Sequence, residues 1–129
     1  MKFIDVVVRA IALSRKINAE EEEIRQRLGL TDGISLDDRG REYMKAPRPA
    51  ADELAQFLHT LSDAHVLRLQ TLMYAGRDRD ANLTKLHKEL SCTREDAIRT
   101  ICEKAPLDEY LADGLVLAQR RFLDLDGEW

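Results

Sequence analysis

Cysteine is scarce. Cys92 and Cys102 are the chain's two, too few for the disulfide framework that staples small secreted domains, so reduced thiols and a cytoplasmic setting are expected. A charge excess of one sign is missing as well: the net charge is −4, which offers phosphate backbones no general attraction and makes nucleic acid a poor candidate partner. No apolar run is long enough to span a bilayer. The most apolar stretch, Phe3 to Leu13, is interrupted by Asp5 and Arg9, and a core helix accounts for it without an export signal or a membrane anchor. Catalytic signatures are also wanting. There is no Gly-x-Ser-x-Gly elbow, no Walker loop, no Gly-x-Gly-x-x-Gly and no recognisable Cys–His pair, so no catalytic residue and no cofactor are assigned, and enzyme activity has little support.

What is present is the material of a folded core. Hydrophobic residues make up 44% and charged residues 34% of 129 positions, which fits one globular domain spanning residues 1–129. Phe3, Val6, Ala10, Leu13 and Ile17 recur at steps of three and four, the stripe of a helix, and Ile4, Val7, Val8 and Ile11 widen it. Such a helix is central to a bundle or shared with a second copy of the chain, because one ordinary interface would leave Val8 or Ile11 wet. Asn18 is suited to cap a following segment, Ala19 to Leu28, that Gly29 would end.

From residue 30 to 49 the pattern breaks: Thr31-Asp32-Gly33, Asp37-Asp38, Gly40 and Pro47-Arg48-Pro49 are turn signals, read as a long surface connection. Four more helical patterns and one short one follow. Leu54, Phe57, Leu58 and Leu61 form one face; Val66, Leu69, Leu72 and Met73 form the next, capped by Ser62 or Asp63, with Gly76 placed as its left-handed end. Leu83, Leu86 and Leu90 mark a short helix. Thr93 with Asp96 makes a capping-box variant ahead of Ala97, Ile98, Ile101 and Cys102, and Pro106 opens a last helix with Leu107, Tyr110, Leu111, Leu115, Ala118 and Phe122 on one face. The tail 124–129 is expected to fray. The whole reads as an all-α bundle of about six helices, without strands.

Three pieces in fixed order carry a resemblance: Glu53-Leu54-Ala55-Gln56-Phe57-Leu58, then Leu69-Gln70-Thr71-Leu72-Met73-Tyr74-Ala75-Gly76-Arg77-Asp78, then Pro106-Leu107-Asp108-Glu109-Tyr110-Leu111-Ala112-Asp113-Gly114-Leu115. Together they resemble a family of small bacterial proteins known only as a domain of unknown function, in which a Leu-rich helix ends in Gly-Arg-Gly-Asp and a Pro-Leu-Leu-x-x-Tyr-Leu-x-x-Gly-Leu segment comes after it. This chain has Gly76-Arg77-Asp78-Arg79-Asp80 in place of the first motif. The resemblance implies a helical fold and brings no activity, substrate or site residue.

The loop from Gly76 to Asn82 holds the most suggestive chemistry. Asp78, Asp80, Asn82 and Glu89 fall at positions 1, 3, 5 and 12 of a calcium loop of the EF-hand type, but Leu83 stands where that loop needs glycine, and Asp80 or Asn82 serves equally as a helix cap. Arg77 and Arg79, beside Tyr74, Asp78 and Asp80, have forks suited to a carboxylate or phosphate, although local pairing explains them as well. His59, His65, His87, Cys92 and Cys102 lack the spacing of a zinc site, and Cys102 is expected in the core. Glu20 to Glu23 read as a solvated face. Arg39, Arg41, Lys45 and Arg48 form a mild basic cluster diluted by Asp37, Asp38 and Glu42. The expected function is therefore a protein-interaction or adaptor module, a homodimer through helix 1, with Tyr74, Arg77, Asp78, Arg79 and Asp80 open to a partner. The alternative is a small anion- or metal-binding enzyme at the same loop.

Overall fold

The computed structural model describes residues 1–30 and 38–129, and in it Phe3–Leu28 form one unbroken helix, α1. No break occurs at Asn18. Residues 19–27 are helix formers with neither glycine nor proline among them, so a capping residue alone does not interrupt propagation. Asn18 instead donates from Nδ2 to Asp108 Oδ1 at 3.2 Å. Gly29 ends the helix as expected, at φ 68°, while the Leu30 amide donates to Arg25 O at 2.9 Å. That is a Schellman closure, in which glycine carries the left-handed residue without steric cost.

Within the stretch expected to be only a surface connection lies a second helix, α2 (Asp38–Lys45). Its pattern is too thin to read, since Tyr43 is its main anchor, packing with Ile24 and Leu30 in a small cluster at the far end of α1. The turn signal Thr31-Asp32-Gly33 and Asp37 lie outside the described residues. Then come α3 (Pro49–His59), α4 (Asp63–Asp78), α5 (Leu83–Glu89), α6 (Arg94–Glu103) and α7 (Leu107–Arg120). Seven helices and no strand are thus formed by the described residues, an all-α bundle. The caps read from sequence are in place: Ser62 Oγ, Asn82 Oδ1 and Thr93 Oγ1 accept the amides of His65, Lys85 and Asp96 at 3.1 to 3.2 Å.

Helix α4 has α7, α6, α5 and α1 around it, and α1 likewise touches four helices, α3, α7, α2 and α4. Leu69, Leu72 and Met73 of α4 meet Phe3, Val6, Val7 and Leu13 of α1, Leu54 and Leu58 of α3, Ile101 of α6 and Leu111 of α7 in one core. Gly76 does not end α4. It lies inside the helix, buried, and a Cβ there would stand 1.8 Å from Tyr110 O; a Cβ on Gly114 would stand 2.1 Å from Leu72 O. The two backbones touch where any side chain would hold them apart. The left-handed residue closing α4 is Arg79, φ 53°, with the Asp80 amide on Ala75 O at 3.0 Å.

Besides α1, which follows Lys2 with no side-chain cap bond, two helices begin on residues that do not cap them. Arg48 and Pro106 precede α3 and α7 with no side-chain bond to the first turn, and α1 supplies what is missing. Glu20 Oε2 accepts the Ala50 amide at 2.9 Å, and Ser14 Oγ, on a residue 3% exposed, accepts the Asp108 amide at 3.0 Å. Helix 1 therefore orders its neighbours through polar side chains as well as through its apolar stripe.

The end of the chain also differs from expectation. Phe122 is not on the buried face of α7: the helix closes at Arg120, the Leu123 amide donates to Ala118 O at 3.1 Å, and Phe122 takes the left-handed position at φ 52° with its ring 95% exposed. Residues 124–129 are bonded to the helices. The Phe3 amide donates to Asp126 Oδ1 at 2.9 Å, Arg68 donates to Leu125 O at 2.8 Å and to Gly127 O, and the Trp129 ring meets Phe3 and His87 edge-on, at 5.4 Å each. No described helix is long and apolar enough to cross a membrane.

Candidate functional site

The end of α4 brings the five predicted site residues into one neighbourhood without making them converge. Tyr74 and Arg77 stand three residues apart on one helical face, and the Arg77 guanidinium lies 4.6 Å from the Tyr74 ring centroid, with Lys104 Nζ at 5.6 Å from the same ring. Arg77 Nε and Nη2 donate to the two carboxylate oxygens of Asp78 at 2.8 and 3.1 Å. The pairing holds Asp78 below the ordinary aspartate range and Arg77 above its ordinary value. The fork suited to an external anion is thus engaged by the chain's own carboxylate. Arg79 is exposed at the left-handed turn.

The oxygens of the calcium-like pattern are similarly employed. Asp80 Oδ1 accepts the Asn82 amide at 2.9 Å, and Asn82 Oδ1 caps α5; Glu89 faces Lys85 at 3.9 Å. No group of three His, Cys, Asp or Glu side chains is gathered for a metal among the described residues. A cavity of about 160 Å³ beside the loop is lined by Ala81, Asn82, Leu83, Thr84, Arg121 and Leu123, and not by Arg77.

The histidines and cysteines each have separate surroundings. His59 Nδ1 is 2.8 Å from Ala55 O and Nε2 3.3 Å from Glu95, and those contacts, the backbone one first, raise its pKa. His65 packs on Phe3 at 5.7 Å. His87 Nδ1 is 3.1 Å from the buried Thr71 hydroxyl, and burial, with Arg68 nearby, pushes its pKa down. The Cys92 thiol donates to Gln70 Oε1 at 3.3 Å. Cys102 is exposed rather than in the core.

A second polar cluster was not visible in the sequence. Glu21 Oε1 accepts from Arg48 Nε at 2.5 Å, and Glu21 Oε2 accepts from the Tyr43 hydroxyl. Arg48 also donates to Ala46 O at 2.9 Å and Tyr43 O at 2.8 Å, with its guanidinium 4.7 Å from the Tyr43 ring. Burial raises the Glu21 carboxyl, but the bonds from Arg48 and Tyr43 outweigh it and the net shift is downward. Glu20 and Glu21 are therefore not a solvated face, and Arg48 is not part of a basic patch. Every donor of the clasp has an internal acceptor, which makes it a tie between α1 and α2.

Two apolar side chains stay exposed on α1 and α7. Val8 is 57% and Val116 43% exposed, with Ile4 and Ile11 half-buried beside them on α1. Helices α1 and α7 run antiparallel, pinned where Ser14, Arg15 and Asn18 all reach Asp108. From that pin Val8 is about 9 Å back along α1 and Val116 about 12 Å forward along α7, at 1.5 Å per residue. The two valines thus stand at nearly one level on the outside of the pair.

No family model matches this chain, and no curated protein or solved structure matches it either.

Proposed function

We propose that this chain is a protein-interaction module that self-associates through the outer face of α1 and α7, leaving the Gly76 to Asn82 loop at the surface for a further protein partner. The observation that carries the reading is Val8, a branched apolar side chain 57% exposed on α1, with Ile4 and Ile11 half-buried on the same helix. Exposed apolar side chains grouped on one face, rather than scattered singly, are what interfaces present. Among the described residues the exposed large hydrophobics are Met1, Val8, Met44, Val116 and Phe122, and all but Met44 lie within residues 1–8 or in the second half of α7 and the segment after it. A two-fold axis across that pair would place Val8 and Val116 of one copy on the same patch of the other.

The loop supports contact rather than chemistry. Tyr74 held between Arg77 and Lys104 gives an amphipathic surface of the kind interfaces favour, whereas the Arg77–Asp78 pair weighs against an anion site at that guanidinium. Kinship with the domain-of-unknown-function family is supported by the order of the segments 53–58, 69–78 and 106–115.

Sedimentation of the full chain at tens to hundreds of micromolar, beside Val8→Glu, tests the reading. The expected result is a dimer that Val8→Glu converts to a folded monomer. A wild-type chain that stays monomeric throughout that range removes it.

A further inference from the structure

The segment after α7 is built as a separable arm. Its internal bonds travel with it: Asp124 Oδ1 accepts the Asp126 amide at 3.1 Å, and Asp124 O accepts the Gly127 amide at 3.2 Å and the Trp129 indole N–H at 3.2 Å. Its polar bonds and ring contacts to the body come from a compact seat made by three helices. The Phe3 amide at the start of α1 binds Asp126, Arg68 of α4 binds the carbonyls of Leu125 and Gly127, and the Trp129 ring rests on Phe3, His87 and the Arg68 guanidinium, the last at 5.2 Å. The seat residues belong to α1, α4 and α5, and Leu123, Leu125 and Trp129 of the arm pack against the core beside them.

The joint between arm and body is a costly one. Phe122 occupies a left-handed position that an aromatic residue seldom takes, and its ring is 95% exposed. The root of the arm and its seat lie at the same end of the α1–α7 pair as the proposed interface: Phe122 follows Val116 by six positions, and Phe3, on the buried side of α1, precedes Val8 by five. We propose that the arm, Leu123 to Trp129, exchanges between two copies, each copy's Trp129 and Asp126 taking the Phe3–Arg68–His87 seat of the other. Exchange replaces every seat contact by an identical one, lets Phe122 leave its left-handed conformation, and carries that ring into the interface. The inference rests on self-association through the α1 and α7 face and names how that association is secured.

Trp129 is the single tryptophan of the chain, which allows a complementation test with two full-length variants. Arg68→Ala keeps the arm and breaks the seat; Trp129→Ala keeps the seat and empties it. Mixed in equal amounts at a few hundred micromolar, the only tryptophan belongs to the Arg68→Ala chains. The expected result is that its emission, red-shifted in Arg68→Ala alone, returns to the wild-type position as a mixed dimer sediments. A mixture whose spectrum is the sum of its components overturns the exchange. Should either variant fail to fold, the wild-type chain answers the same question. Copies of different isotopic labelling, unfolded and refolded together, should show contacts between Trp129 of one and Phe3 of the other, and dimers without such contacts overturn it. A wild-type dimer that Val8→Glu dissociates but in which Trp129 never crosses removes the exchange alone; a chain that is monomeric throughout removes both readings.

Discussion

Helix α7 has two neighbours and treats them differently. Against α4 it is closed to the point of backbone contact, with Gly76 over Tyr110 O and Gly114 over Leu72 O. Against α1 it shares the common core and is pinned by polar bonds around Asp108, and the outside of that seam leaves Val8 and Val116 exposed. One flank is committed wholly to the fold, because glycine at both crossing points removes the side chains that normally hold helices 8–10 Å apart. The other is held well enough to be ordered and still has apolar area to offer a second molecule. A residue's likeness to a family motif says nothing of this division: Gly76 and Gly114 both belong to the quoted segments, and both serve packing.

The sharpest way to break the contrast is to add a methyl on one flank and to trim a side chain on the other. Gly76→Ala places a Cβ 1.8 Å from a main-chain carbonyl, and no flexible side chain is there to move aside, so α7 itself must shift. Overfilling a packed core costs about 1–3 kcal/mol, and backbone against backbone belongs at the top of that range or above it. We expect Gly76→Ala to lower unfolding free energy by about 3 kcal/mol or more in urea titration. Val8→Ala, on the exposed face, should change the stability of the isolated chain by less than about 0.5 kcal/mol. Equal effects at the two positions would mean that the crossing relaxes easily, or that the outer face of α1 is part of the core.

A smaller effect probes the polar side of the α1–α7 seam. Ser14 is buried, and its hydroxyl accepts the Asp108 amide at the start of a helix that has no cap of its own. Ser14→Ala removes the acceptor at little cost in packing volume, and the loss of a cap is worth about 1 kcal/mol. Ser14→Thr should recover part of it. If Ser14→Ala leaves the urea midpoint unchanged, water takes the vacated position and the seam is more open than its geometry indicates.

Much of the fold could be read from the chain, and the exceptions share a cause. The apolar stripes of α1, α3, α4, α6 and α7 and the caps at Ser62, Asn82 and Thr93 rest on residues within one helical turn of one another, where spacing is information. The same holds for the Tyr74–Arg77 stack, three positions apart. What escaped depends on partners far along the chain: Glu21 with Tyr43 and Arg48, at separations of 22 and 27; Ser14 with Asp108, at 94; Phe3 with Asp126, at 123. Asn18 and Gly76 depart from the local pattern for the same reason. Each has the chemistry of a helix terminus, and each is used in mid-helix because a neighbour, Asp108 or the α7 backbone, meets it there.

The helix ends supply the finest comparison. Three helices, α1, α4 and α7, close through a left-handed residue with the following amide bonded back to a carbonyl five positions earlier, and those residues are Gly29, Arg79 and Phe122. Only the first is the residue that the conformation favours. An L-residue in that region costs about 1–2 kcal/mol, while glycine gives back about 0.5–1 kcal/mol through the greater freedom of the unfolded chain. Phe122→Gly should therefore stabilise the isolated chain by up to about 1 kcal/mol, since an exposed ring contributes little burial to lose. The reverse change at the matched position, Gly29→Ala, should destabilise it by a similar amount. Thermal melts at a concentration low enough to keep the chain monomeric measure both. A Phe122→Gly variant less stable than wild type would show that the ring has packing in solution that its exposure conceals, and the joint would then be a fixed corner rather than the root of an arm.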